Sequence, residues 1–280
     1  KDVDYIVAID TDSNYVSCQA LVDKHFPNKS RDEIVDLLDK IAQEQIEKAI
    51  MNGYDRAAEY ANCHEQAMFM DREAIASSAV WTAKKRYAMA VHDNEGVRFD
   101  KVKIKIQGLE AIRSSTPGVC RPIMLNTIEK ILLEDEASVQ EYIADFKEKY
   151  VNLPAEDIGF PHSMNNLKKF DTGTGFASGT PAHVRGAIVY NRQLKAHGLT
   201  KQHEEIKPGE KGKFLYLREP NPFKSHTISF ANQLPPEFGA EQYIDYEKMF
   251  QKTMGDPISS ILNPIGWSLE RKNTLDLFFS

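Results

Sequence analysis

Cysteine is scarce in this chain: Cys18, Cys63 and Cys120 are the only three in 280 residues. Their wide spacing excludes a disulfide framework, and without a CxxC pair there is no pattern for a zinc cluster. Cys63 beside His64 reads as coincidence rather than as a metal site. Long apolar runs are also missing, since the longest fall well short of the roughly 20 residues that a membrane helix needs. Lys1 to Tyr5 carry no signal-peptide pattern. The expectation is a soluble intracellular protein with no membrane partner. Excess positive charge is absent as well: the net charge of −6 argues, taken as a sum, against a polyanionic partner. There is no internal repeat and no low-complexity tract. The first residue is Lys rather than Met and an apolar strand begins within three residues, so the chain reads as a fragment of something longer.

What is present is enough apolar material, 41% of residues, for one large domain or two modest ones. Two short strand-like runs, Tyr5 to Ile9 and Asn14 to Gln19, flank Asp10, Thr11, Asp12 and Ser13, which predicts a tight hairpin with carboxylates at its tip. Ser30 and Glu33 form a capping box. Behind it, Ile34, Leu37, Leu38, Ile41, Ile46, Ala49 and Ile50 recur at helical spacing, predicting a long amphipathic helix over residues 31 to 62. From Met68 to Gln107 the period changes to two, with a turn at Asp93 to Gly96. Lys101, Lys103 and Lys105 alternate with Val102, Ile104 and Ile106, so an extended strand shows three ammonium groups on one face. After Thr116 and Pro117 the texture turns helical over Ile123 to Leu133, Ala137 to Tyr150, His183 to Ala196 and Glu241 to Thr253. A short strand is expected at Phe214 to Leu217 and a turn at Asn221 to Phe223.

Charge is unevenly placed. Between Val80 and Pro117 eight basic residues, Lys84, Lys85, Arg86, Arg98, Lys101, Lys103, Lys105 and Arg113, face four acidic ones. Asp10 and Asp12, one residue apart on a rigid turn, can present hard oxygen ligands to a divalent metal, although such residues are also ordinary turn formers. A metal-binding acidic hairpin followed by a basic sheet suits phosphoryl transfer on a polyanion. A solvated surface strand is the plain alternative for the lysines.

The order and wording of these segments resemble the family B DNA polymerases, especially the replicative enzymes of large tailed phages. Asp10-Thr11-Asp12-Ser13 is similar to the third palm motif, and Lys84-Lys85-Arg86-Tyr87 to the KKRY motif. Met70 to Ile75, Gly108-Leu109-Glu110, Ser114 to Pro117, Arg185-Gly186, Leu217-Arg218-Glu219 and Asn221-Pro222-Phe223 continue the resemblance along nearly the whole chain. Two features depart from it: Ile9 stands where the family has Gly, and the stretch from Ile75 to Trp81 is shorter than in phage relatives.

The resemblance implies an α+β fold: an antiparallel palm sheet with the long packing helix over residues 1 to 117, then a mostly α-helical thumb over 118 to 280. It implies two Mg2+ ions in the complete enzyme, held in part by Asp12 and less directly by Asp10, with Glu73 as a further carboxylate or a salt-bridge partner. It implies primer-template contacts from Lys84, Lys85, Arg86 and Tyr87, and from Lys101, Lys103, Lys105 and Arg113. Deoxynucleoside triphosphates would be the substrates of the complete enzyme. Leu275, Phe278 and Phe279 have the anchor spacing of a sliding-clamp peptide, with an apolar end tucked into the thumb as the alternative. The other palm aspartate, the fingers and the exonuclease belong to an N-terminal part not present here, so this polypeptide alone is expected to be inactive. If the source is viral, it would act in the host cytoplasm. The competing expectations are a non-catalytic DNA- and clamp-binding subunit of a split polymerase and, more remotely, a metal-dependent nuclease.

Overall fold

The computed structural model describes residues 4–271, and the chain divides into two compact units, Lys1–Gln107 and Gly108–Ser280. Leu275, Phe278 and Phe279 lie outside the described residues. In the first unit β1 (Ile6–Asp10) and β2 (Ser13–Val16) form a two-stranded antiparallel hairpin. The strand expected to run to Gln19 stops at Val16. Gln19–His25 is a short helix, α1, in which the Gln19 amide donates to Asp23 at 2.7 Å, a side-chain bond that helical i,i+4 spacing permits and a strand does not. The long helix begins where its capping box predicts: Ser30 caps Glu33 and Glu33 returns to the Ser30 amide. It runs as α2 (Arg31–Ile41), a single π-helical turn (Ala42–Ile46) and α3 (Glu47–Tyr60).

Strands β3 (Ala74–Ala83), β4 (Arg86–Asn94) and β5 (Val97–Gln107) form a three-stranded antiparallel sheet in that order. The central strand is buried from Tyr87 to Asp93, whereas β5 keeps the lysine alternation, with Lys101 and Lys103 exposed between half-buried Val102 and Ile104. The helix is tied to the sheet through Arg72. Its guanidinium bonds Asp39 on α2, with Nε at 2.9 Å, and also pairs with Asp93 on β4. Arg98 pairs with Asp36 of α2 at 2.7 Å and with Asp93 at 3.4 Å. Burial alone would raise the Asp93 carboxyl, but bonds from Arg72 and Arg98 outweigh it and hold the group below the usual carboxylate range.

The second unit opens with an antiparallel helix pair, α4 (Cys120–Leu133) and α5 (Glu136–Tyr150), whose expected bounds hold within three residues. Beyond it the structure holds more strand than the sequence pattern suggested. After the short helix α6 (Ala155–Ile158) come β6 (Phe160–Ser163), α7 (Leu167–Phe170), α8 (Ala182–Ala196), β7 (Lys211–Tyr216) and β8 (Thr227–Phe230), the three strands forming a second antiparallel sheet. Helix α8 lies close on β8: a Cβ at Gly186 would meet the Ser229 hydroxyl at 2.5 Å and the Ser229 amide at 2.7 Å, so only glycine fits. The expected helix from Glu241 is interrupted. Ile244 pairs with Leu217 and Asp245 starts afresh, its carboxylate accepting from Lys248 to cap α9 (Tyr246–Phe250). A π-helical turn (Gln251–Gly255) leads into α10 (Asp256–Leu262). No helix among the described residues is long and apolar enough to cross a membrane.

Two outcomes test this arrangement. Arg72→Ala leaves buried Asp93 with the longer Arg98 pair and is expected to cost about 1.5–3 kcal/mol, read as a lowered urea midpoint. His92, on β4, is 3% exposed and neither ring nitrogen hydrogen-bonds to another described residue. Burial, helped by Arg31 and Arg98 and opposed by Asp32, lowers its pKa. The unfolded chain therefore binds more protons below about pH 6.5, so the stability this neutral imidazole supplies is complete above that pH and declines as pH falls through it. Urea midpoints at pH 7.5 and 5.5 should differ less in His92→Leu than in the parent.

Candidate functional site

The β1–β2 hairpin turns in two residues, because Asp10 pairs across to Ser13 and leaves only Thr11 and Asp12 between them. Thr11 takes φ +56°, a conformation that a β-branched residue reaches only under constraint. The Asp10 carboxylate accepts from the Thr11 hydroxyl at 3.3 Å and the Asp10 carbonyl accepts from Ser13 at 3.0 Å. Asp12 stands exposed at the tip.

Strand alternation then sorts the hairpin into two faces. Ala8, Asp10, Ser13 and Tyr15 are half-buried, whereas Val7, Ile9, Asn14 and Val16 are exposed. Tyr15 is the contact that places the first face. Its ring meets Trp81 edge-on at 5.1 Å between centroids and Tyr87 at 5.6 Å, while Trp81 and Tyr87, paired across β3 and β4, lie 5.9 Å apart. Tyr87, Met89 and Val91 form a small core there with Ala74, Ala76 and Phe99 packed against it. Ile9 points away from Asp10 as its neighbour in the strand.

Docked in this way, the hairpin brings Asp10 to the basic turn. Lys84 and Lys85 make the two-residue connection between β3 and β4, with Lys85 at φ +61°, and the Lys85 Nζ lies 3.8 Å from the Asp10 carboxylate. Glu73 forms an ion pair with Lys105 of β5. Burial raises the Tyr87 phenol, and its hydrogen bond to Tyr15 together with the negative charge of Glu73 and Asp10 raises it further. The phenol thus remains protonated through the neutral range, and both carboxylates lie within electrostatic reach of one ring.

Several residues singled out from the sequence sit differently. Tyr87 is 5% exposed, inside the aromatic cluster rather than at the surface. Arg86 is half-buried. Lys103 lies 3.9 Å above the Phe99 ring, and Lys101 is exposed. Arg113 belongs to the second unit, where it pairs with Glu110 at 3.3 Å and donates to the Gly108 carbonyl. Tyr15 and Trp81 were not singled out from the sequence, although Tyr15 follows Ser13 at the two-residue period that puts both on the half-buried face of β2. Among the described residues no three His, Cys, Asp or Glu side chains converge to hold a metal ion. Asp10 and Asp12 are hard oxygen donors of the right kind for Mg2+, but they amount to part of a ligand set.

No protein-family model matches the chain. Against curated proteins, it is 33% identical over 293 aligned positions to the DNA-directed DNA polymerase of Enterobacteria phage T4, with the whole chain covered. It is 36% identical over 295 positions to that of Escherichia phage RB69, with 98% covered. The chain is related to phage DNA-directed DNA polymerases. It spans about a third of these relatives, 32% of each, and corresponds to one section of a phage polymerase.

The aromatic wedge has a direct test. Two edge or tilted ring contacts are worth about 1–3 kcal/mol together. Tyr15→Ala is expected to lower the local opening energy of the β1–β2 hairpin by that amount, seen as faster amide exchange in β1 and β2 with β3 to β5 still protected.

Proposed function

We propose that this chain is the carboxy-terminal part of the palm together with the thumb of a family B DNA polymerase, with the palm portion near residues 1–117 and the thumb near 118–280. The observation that carries the proposal is the docking of the acidic hairpin onto the basic sheet by Tyr15, which sets Asp10 beside Lys85 instead of on the far side of the sheet. In the complete enzyme the reaction would be attack of a primer 3′ hydroxyl on the α-phosphate of a deoxynucleoside triphosphate, with pyrophosphate leaving. Magnesium held at the hairpin tip would supply Lewis-acid stabilisation of the charge that develops there.

Within that reaction the residues divide the work. Asp12, exposed and turned toward solvent, is the direct ligand. Asp10 is the less direct one, since its charge is already shared with Lys85 and Thr11. Glu73, held by Lys105, shapes the electrostatic surroundings of the site. Lys84 and Lys85 at the turn, with Arg86 and with Lys101 and Lys103 on β5, meet the backbone of the primer-template duplex; Arg113, in the second unit, is a phosphate contact considered by itself. Tyr87 acts from within, by holding Tyr15 and the turn in place. Leu275, Phe278 and Phe279 would anchor the chain to a sliding clamp, keeping the polymerase near its primer by effective concentration.

Two measurements test the reading. Alone, the chain should not extend a primed template given all four triphosphates and Mg2+, because half of the ligand set is missing. In the assembled enzyme Asp12→Asn should lower incorporation at least about a hundredfold while primer-template affinity changes by no more than about a factor of two. Unchanged synthesis would favour the non-catalytic subunit. Separately, Lys84→Ala with Lys85→Ala is expected to weaken duplex binding for every sequence alike and to reduce the salt slope by about 0.9 per lysine removed.

A further inference from the structure

Edge strand β6 has only four residues and pairs along one side alone, with β7. A second clasp comes from a pair of histidines. The His162 ring of β6 lies flat against the His183 ring of α8, 4.7 Å between centroids at an angle of 10°, and Phe214 of β7 meets them at 5.5 and 6.2 Å. Both imidazoles are half-buried. The start of α8 is fixed to β8 by groups that do not titrate: the Ser229 and Thr227 hydroxyls donate to the His183 and Ala182 carbonyls at 2.9 and 3.0 Å. Of the two elements that the rings join, β6 is therefore the one able to part.

Neutral rings stack at this spacing, but two imidazolium rings 4.7 Å apart repel, and a half-buried site holds little water to screen them. The charged and titratable groups on the surrounding elements do not offset that charge. Arg185, two residues along α8, is itself cationic and lies over Phe176. Lys211 and Lys213 of β7 alternate to the face opposite Gly212, the partner of His162, and the Lys213 Nζ donates to the Glu156 carbonyl at 2.6 Å. Tyr216 lies past Phe214, and His226 precedes β8, which carries no titratable side chain. We propose that the stacked His162–His183 pair is a proton-operated latch: neutral, it clasps edge strand β6 to α8, and on taking up protons it releases β6 from the sheet. Release leaves the β7 edge unpaired, a row of N–H and C=O groups open to another strand. Burial lowers the pKa of both rings, and the charge of His162 lowers that of His183 further. The released strand thus binds more protons, so the clasp is complete above about pH 6.5 and is lost as pH falls below it.

The test follows the intact 280-residue chain between about pH 7.5 and 5.5. Histidine NMR signals should show His162 and His183 titrating as a coupled pair, each ring sensing both steps. Over the same range amide protection in β6, corrected for the intrinsic pH dependence of exchange and referred to β8, should fall at least about tenfold. Two histidines freed to an ordinary pKa allow at most about a hundredfold. His162→Phe with His183→Phe keeps two rings in contact and removes both protons, so β6 should stay protected in the acid sample. If that double variant does not fold, His162→Phe alone should halve the loss of protection on a logarithmic scale. Two independent single-step titrations, β6 protection that does not change with pH, or a loss that persists in full in the phenylalanine variants would each overturn the proposal.

Discussion

Tyr15 carries a constraint on which the geometry of the first unit depends. Strands β1 and β2 pair with each other in a sheet separate from β3 to β5, so no ladder fixes the hairpin on the larger sheet, and turning it over would send Asp10 and Tyr15 to the outer face and bring Ile9 inward. The ring contacts with Trp81 and Tyr87 hold one orientation. Their combined worth, about 1–3 kcal/mol, exceeds what an exposed ion pair such as Lys85 with Asp10 at 3.8 Å supplies, which is about 0–1 kcal/mol. Packing therefore decides where the acidic turn sits, and the charge pairing follows from it.

A second interaction works in the opposite order. Arg72 and Arg98 meet a buried carboxylate, Asp93, and there electrostatics sets the packing. Paired, the group stays ionised in the core. Unpaired, it would oppose folding. The same pairs consume Asp36 and Asp39 of α2, so part of the chain's acidic excess is neutralised against its own sheet. Lys84, Lys101 and Lys103 remain at the surface. A net charge of −6 is thus compatible with a locally basic face.

Local signals were reliable where a residue's role depends on its near neighbours. The Ser30–Glu33 cap, the turn at Asp93 to Gly96 and helices α4, α5 and α8 were legible because capping, turn chemistry and helical spacing act over a few residues. Strands β6 and β8 were not. Each has four residues, too few to show a period, and each exists because β7 lies between them. Helix α1 was lost for the same reason of brevity. The π-helical turn at Ala42–Ile46 leaves no mark in a pattern that only counts apolar residues.

The sequence by itself determined the acidic turn, the lysine alternation on β5 and the order of motifs that ties the chain to phage polymerases, since each is written in adjacent residues. Only the tertiary structure decided that Asp10 meets Lys85, that Glu73 is held by Lys105 and that Tyr87 is buried. These are contacts between residues about 30 to 75 positions apart, fixed by ring packing and strand register. No local spacing encodes them.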